Sequence, residues 1–77
     1  MELSLQAKSL KPGIYEHYKK KQYRIIAVAH HTETLEEVVV YQSLYGGYEF
    51  WVRPISMFLE HVDIEGKSTP RFQFLHE

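Results

Sequence analysis

Apolar and polar residues alternate in short runs along this chain, and glycine, proline or charged clusters separate the runs. Alternation with a period of two is typical of β-strands that have one buried face. The pattern predicts six strands, at residues 14–19, 23–31, 37–45, 48–53, 59–64 and 71–75. Both faces of the second strand are largely apolar, which indicates a central position in the sheet.

The segments between these runs carry turn signals. Three adjacent lysines, Lys19 to Lys21, predict a solvated turn, and Gly46-Gly47 predicts a hairpin turn. Residues 32–37 are predicted to form a loop with at most one helical turn, because the β-branched residues Val38 to Val40 follow at once. Pro54 ends the fourth strand by removing a ladder donor, and residues 55–58 are predicted to form a short 3₁₀ turn.

The fourth strand offers two sets of side chains on opposite faces. The apolar set of Tyr48, Phe50 and Val52 is predicted to enter the core, which leaves Trp51 and Arg53 facing outward with Glu49. Two registers with the third strand remain open. A tight two-glycine turn puts Tyr45 opposite Tyr48, whereas a bulge or a longer loop brings Tyr41 and Tyr45 beside Trp51 and Arg53.

The chain has 77 residues, which is one domain. Six Tyr and four Phe against two Met favour strands over helices. We expect a mostly β fold, namely a small SH3-like barrel of five to six short antiparallel strands over residues 13–75. The 3₁₀ turn before the last strands suggests that barrel type by analogy. Residues 1–12 are a lead-in, either partly disordered or with a short helical turn, and residues 76–77 are a tail.

Cysteine usage bears on compartment and on metal chemistry. The chain has no cysteine, so a disulfide framework and a thiolate metal site are excluded. The N-terminus lacks a basic start followed by a long apolar stretch, and the longest apolar run, residues 25–29, is too short to span a bilayer. We therefore expect a cytoplasmic protein that makes no membrane contact.

The net charge of −1 is unevenly distributed. Residues 1–24 carry six cationic and two acidic side chains, and residues 25–77 carry three and eight. A clustered cationic surface is what phosphate binding needs, so weak nucleic-acid binding is one alternative function. Its candidate residues are Lys8, Lys11, Lys19, Lys20, Lys21 and Arg24.

The histidines and acids suggest a metal site only under a geometric condition. His30 and His31 are neighbours on a strand and point to opposite faces, so they do not easily share one ion. Adding His17 and Glu33 would require the first strand to meet the end of the second. The simpler interpretation has His31 bonding to Glu33 or to a loop carbonyl, with His30 exposed. We expect no metal, no cofactor and, without a nucleophile elbow or phosphate loop, no enzyme activity.

Trp51-x-Arg53 is the strongest candidate for a binding site. Trp, Tyr and Arg dominate binding hot spots because they combine area with directional polar groups. The pattern predicts a face for an unknown protein or peptide partner, or a stacking platform for single-stranded nucleic acid. The structural alternative has Arg53 pairing with Glu33 or Glu49 and stacking on Trp51. The candidate set comprises Trp51, Arg53, Tyr41, Tyr45, Tyr15, His17, His31 and Glu33.

A long edge strand also invites pairing between copies, so the protein is expected to be a monomer or a weak homodimer.

The chain also resembles, in order and over about residues 11–74, a family of small bacterial proteins catalogued as a domain of unknown function. The matching positions are Gly13, Tyr15, His17, Tyr18, Lys19, Tyr23, Arg24, His31, Thr32, Glu33, Thr34, Val39, Val40, Tyr41, Gln42, Leu44, Tyr45, Gly46, Trp51, Val52, Arg53, Pro54, Met57, Phe58, Pro70, Arg71 and Phe72. The resemblance implies an SH3-like barrel in a cytoplasmic bacterial protein and supplies no established activity. The family usually has a glycine where this chain has Lys20.

Overall fold

The computed structural model describes residues 2–77 and contains two short helices and seven strands. In chain order these elements are α1 (Leu5–Ser9), β1 (Ile14–His17), β2 (Gln22–His30), β3 (Glu37–Ser43), β4 (Phe50–Pro54), α2 (Ile55–Phe58), β5 (His61–Ile64), β6 (Lys67–Pro70) and β7 (Phe72–His76). No helix within residues 2–77 has the length and apolar character needed to cross a membrane.

The strands form one five-stranded antiparallel sheet, in the order β4-β3-β2-β1-β7, and a separate two-stranded ribbon of β5 and β6. The mostly β prediction is confirmed, and β2 lies at the centre of the sheet as expected. The barrel is not closed, because β4 and β7 remain the two edges of the sheet and do not pair. The expected count of five to six strands omitted β6, whose Lys-Ser-Thr-Pro sequence has no apolar alternation.

The turn after β1 explains why that strand is shorter than predicted. The backbone N–H of Lys20 donates to the carbonyl of His17 at 2.7 Å, so the chain already reverses at residue 18. Lys20 has a φ of 69°, in the left-handed region that favours glycine. The glycine that the resembling family usually has at this position therefore fits the observed backbone.

The segment after Pro54 is α-helical rather than 3₁₀. The N–H of Leu59 donates to the carbonyl of Ile55 at 3.0 Å, which is the spacing of an α-helical turn. Ile55 and Phe58 are buried, and Phe58 is only 1% exposed. The turn thus carries its apolar side chains into the core, as the sequence indicates, with a wider helical geometry than predicted.

Helix α1 packs the lead-in onto the sheet. The Ser4 hydroxyl caps the helix by accepting a hydrogen bond from the Ala7 N–H at 3.1 Å. The Glu37 carboxylate at the start of β3 accepts from both the N–H and the hydroxyl of Ser4, and these bonds lower the pKa of Glu37. Ala7 is buried within the core.

A bulge in β2 changes which of its side chains face the core. Ile25 lies opposite Tyr41, whereas Ala27 lies opposite Val40, so one extra residue, Ile26, enters between them. After the bulge Val28 packs against the core and Ala27 is exposed. Strict alternation along β2, which would keep Ala27 on the face of Tyr23 and Ile25, therefore fails beyond Ile25.

The faces of β4 are the reverse of the prediction. Phe50 and Val52 are 64% and 65% exposed rather than buried. Tyr41 lies opposite Trp51, so Trp51 and Arg53 share the face of β3 that enters the core. The register follows from the connection at residues 44–49, which is longer than the two-glycine turn that would have put Tyr45 opposite Tyr48.

Candidate functional site

A cluster of aromatic side chains lies next to an arginine on the core-facing side of the sheet. We call this cluster the aromatic–arginine face and define it by His17, Tyr23, Tyr41, Tyr45, Trp51 and Arg53. Tyr23 packs edge-on against Tyr41 and Tyr45, with ring centroids 5.4 and 5.5 Å apart. Trp51 stands beside Tyr41 in the sheet and is 49% exposed. The face is therefore a half-buried aromatic surface with a polar rim.

The guanidinium of Arg53 lies across this surface. Its Nε donates to the Tyr41 hydroxyl at 3.3 Å, and its Cζ lies 5.8 Å from the centre of the Phe72 ring. Within residues 2–77 no carboxylate lies within ion-pairing distance of Arg53, so neither Glu33 nor Glu49 compensates its charge. A guanidinium has five N–H donors, and a half-buried cation without a counter-charge favours an anionic partner.

Arg71 is the second arginine near this face, and its charge is already neutralised. Its guanidinium bonds to the Glu60 carboxylate at 2.6 Å, and its backbone N–H donates to the Glu60 carbonyl. These bonds fix the start of β7 against the residue that precedes β5. Arg53 is consequently the arginine of this surface that is free to receive a ligand.

His17 connects the face to β1 and β7. Its ring packs edge-on against Phe72, with centroids 4.9 Å apart, and its Nδ1 accepts from the Lys19 N–H at 3.2 Å. Burial lowers the pKa of His17, and the positive charges of Arg71, Arg53 and Lys19 lower it further. His17 is therefore a neutral ring at neutral pH.

A pair of tyrosine hydroxyls forms the opposite rim. The hydroxyls of Tyr23 and Tyr45 lie 2.5 Å apart, and the Lys21 Nζ lies 4.8 Å above the Tyr45 ring. Burial, followed by the hydrogen bond to Tyr45, raises the pKa of Tyr23. The Tyr23 hydroxyl therefore stays protonated at neutral pH and offers a neutral hydrogen-bonding group.

Three of the predicted site residues lie elsewhere. Tyr15 is buried in the core, where its hydroxyl donates to the Lys11 carbonyl at 2.6 Å. His31 and Glu33 lie in the β2–β3 loop, at the end of β2 remote from His17. There the His31 Nδ1 accepts from the N–H groups of Glu33 and Thr34 at 3.1 and 3.3 Å.

The histidines and acids do not assemble into a ligand set. No group of three or more His, Cys, Asp or Glu side chains in the described part of the chain could hold a metal ion. His30 differs from the exposed position expected for it, because its Nε2 is buried and has no hydrogen-bond partner within residues 2–77.

The six cations of the nucleic-acid alternative lie at several places in the fold. Lys8 pairs with Glu2 and Lys20 pairs with Glu16, each at 3.9 Å. The others lie on aromatic rings or on the opposite face of the sheet: Lys11 over Phe74, Lys19 over Tyr18, Lys21 over Tyr45, and Arg24 on the opposite side of β2 from Tyr23.

Two grooves lie beside the face, and His17 lines the smaller one. One, of about 390 Å³, is lined mainly by Leu10, Tyr15, Leu59 and Phe74, between α1 and the end of the sheet. The other, of about 220 Å³, lies where β1 meets the β5–β6 ribbon, next to Tyr18. The smaller groove lies below the range of about 300–1,000 Å³ that is typical of ligand pockets, and the larger lies near its lower end.

Sequence reasoning missed Tyr23, a member of the aromatic–arginine face, and Phe72, which is buried beneath it. Tyr23 alternates with the buried Ile25, which was the available signal that it shares the core face. Phe72 stacks on Phe58 with centroids 4.2 Å apart and forms the floor beneath Arg53. Its contribution depends on β7 returning beside β1, which local sequence does not specify.

Comparison with known proteins gives one family and one solved fold. Residues 13–74 match the model of a family described as "Protein of unknown function (DUF1653)". The crystal structure of a protein of this family from Bordetella bronchiseptica superimposes with a TM-score of 0.83 at 35% identity, over 90% of this chain and 91% of that one. No curated protein matches the chain.

Proposed function

This chain belongs to the DUF1653 family of proteins of unknown function, and we propose that it is a binding module that recognises a carboxylate-bearing segment of another protein through the aromatic–arginine face. The ligand's carboxylate contacts the Arg53 guanidinium, and the adjoining part of the ligand packs on Trp51. No bond is made or broken in the ligand.

The observation that carries the proposal is the uncompensated charge of Arg53. Its guanidinium is half-buried, it bonds to the neutral hydroxyl of Tyr41, and it has no carboxylate within ion-pairing distance in residues 2–77. A carboxylate fits the donor fork of arginine in bidentate geometry, with charge-assisted bonds about twice as strong as neutral ones. The bound carboxylate would supply the counter-charge that Arg53 lacks within residues 2–77.

The aromatic surroundings favour a protein ligand. Trp51 is half-exposed beside Tyr41, and Tyr45 lies at the rim with its hydroxyl bonded to Tyr23. Rigid aromatic side chains beside an arginine are typical of the centre of protein interfaces, where they bury area at low entropic cost. The neutral rings of His17 and Tyr23 add no positive charge, so the electrostatic attraction comes from Arg53 and from Lys21 at the Tyr45 rim.

The test is a selection of peptides from a random phage-displayed library on the immobilised full chain. We expect the selected peptides to be rich in Asp and Glu beside apolar residues. Calorimetry should then show that synthetic copies bind Trp51→Ala and Arg53→Gln at least about tenfold more weakly than the unaltered chain. Met57→Ala is the matched control, because Met57 is 51% exposed and lies on α2.

Two results would contradict the proposal. One is selected peptides that bind both face variants as well as the unaltered chain. The other is a preference for single-stranded oligonucleotides over every selected peptide, with an affinity that falls steeply as salt rises. If Trp51→Ala fails to fold, Arg53→Gln, which keeps a polar side chain of similar length, still decides the matter.

A further inference from the structure

The free edge of β4 has hydrogen-bonding groups aimed at solvent. The Ser43 N–H donates to the Glu49 carbonyl at 3.0 Å, which makes these two residues a hydrogen-bonded pair next to the β3–β4 register. Hydrogen-bonded and non-hydrogen-bonded pairs alternate along an antiparallel ladder. Trp51 and Arg53 therefore bond to β3, whereas the N–H and C=O groups of Phe50 and Val52 point away from the sheet.

Nothing in the described chain covers that edge. β4 pairs only with β3, and Phe50 and Val52 make no other backbone hydrogen bond within residues 2–77. Pro54 is two residues after Val52, so its backbone nitrogen also faces the free edge. Proline is tolerated at such a position because no hydrogen bond to β3 is lost. Natural sheets usually cover or charge such an edge, and here both outward residues are apolar.

The two sides of this edge differ in chemistry. On the core-facing side lie Trp51 and the uncompensated Arg53. On the opposite side lie Phe50 and Val52, which are 64% and 65% exposed. A strand added here would alternate its side chains between the two sides. Charge would determine which side chains bind on one side, and apolar contact would determine which bind on the other.

We infer that the partner segment binds as an extended strand along the free edge of β4, with acidic side chains toward Arg53 alternating with apolar side chains toward Phe50 and Val52. The inference rests on the proposed function and adds to it the conformation and sequence pattern of the ligand. Strand addition supplies main-chain hydrogen bonds for affinity, and the alternating side chains supply specificity.

The test uses three synthetic heptapeptides with blocked ends. In the first valine and glutamate alternate, in the second the same residues are rearranged so that alternation is lost, and in the third lysine replaces glutamate. Binding is followed by the fluorescence of Trp51, which is the chain's single tryptophan. We expect the alternating acidic peptide to bind at least about tenfold more tightly than either of the others.

Val52→Pro isolates the contribution of the edge. It removes the outward N–H of Val52 without removing a bond to β3, and residue 51 already has the extended backbone that a following proline requires. We expect it to weaken binding of the alternating acidic peptide at least about tenfold. Met57→Ala, which is on α2 outside the edge and 51% exposed, is the control and should bind this peptide like the unaltered chain.

The outcomes separate the two proposals. If Arg53→Gln weakens binding and Val52→Pro does not, strand addition is wrong and the aromatic–arginine face remains the site. If the alternating acidic peptide does not bind at millimolar concentration, the inferred pattern is wrong, and the phage selection judges the proposed function by itself. If the chain forms a dimer that Val52→Pro dissociates, a second copy is the occupant and the inference is overturned.

Discussion

The Nε atom of Arg53 lies 3.3 Å from the hydroxyl oxygen of Tyr41, which lies on the neighbouring strand two positions from Val39, the direct partner of Arg53. Tyr41 is buried, so its hydroxyl is a fixed point from which the guanidinium extends toward the Phe72 ring. This bond directs Arg53 along the core-facing side of the sheet rather than outward into solvent. It also uses one of the five guanidinium N–H groups and leaves the others for a ligand.

Tyr41→Phe removes that fixed point. We expect the variant to lose about 0.5–1.5 kcal/mol of unfolding free energy, the net contribution of one neutral hydrogen bond, and to bind the selected peptides more weakly because Arg53 is no longer oriented. Urea unfolding and calorimetry measure the two effects. An unchanged affinity would mean that the hydroxyl does not position Arg53.

His17 should titrate below the ordinary histidine pKa of 6.5, because burial and the nearby Arg71 and Arg53 disfavour its charged form. Its lowered pKa stabilises the fold above pH 6.5, and that contribution is lost as the pH falls from 6.5 through the folded-state value. NMR titration of the ring measures the pKa directly.

Arg53→Gln should raise the pKa of His17 part of the way toward 6.5, since burial is the larger cause and remains in the variant. A His17 pKa unaffected by this substitution would show that the two side chains do not sense each other's charge.

One phenylalanine in the core and one on the exposed side of β4 should respond differently to substitution. Phe58→Ala should lower the unfolding free energy by about 3–5 kcal/mol, because it empties a fully buried site stacked on Phe72. Phe50→Ala should change it by less than about 1 kcal/mol, because that ring is exposed. A large loss for Phe50→Ala in urea unfolding would restore the core position predicted from the alternation of β4.

Lys20→Gly should stabilise the chain by about 0.5–1 kcal/mol, because the backbone at this position is in the left-handed region. The ion pair of Lys20 with Glu16 is exposed and its loss costs little. Lys19→Gly, at a neighbouring position without positive φ, is the control and should destabilise. Equal effects of the two substitutions on the melting temperature would contradict this interpretation.

Local patterns predicted much of the fold, because strand positions depend on side-chain alternation and turn residues. The first four strands, the turn at the lysines and the reversal after Pro54 all lie close to where the sequence puts them. The register could not be predicted, because it depends on one extra residue at Ile26 and on the length of the β3–β4 connection. Each moves side chains to the opposite face without changing the apolar pattern.

The candidate site was predicted in part for the same reason. Trp51, Arg53, Tyr41 and Tyr45 share a surface, which follows from the longer of the two connections left open by the sequence. Tyr15 lies in the core, and His31 lies at the other end of the sheet, because strand order and not sequence spacing decides which ends meet.

A residue-resolved amide and side-chain shift titration with an acidic peptide from the phage selection tests the central claim most directly. We predict that the largest shifts fall on the Trp51 indole, the Arg53 Nε–H and the amides of β4. Shifts confined to the groove between α1 and the end of the sheet, or to the β2–β3 loop around His31, with the Arg53 resonance unmoved, would contradict the assignment of the aromatic–arginine face as the binding site.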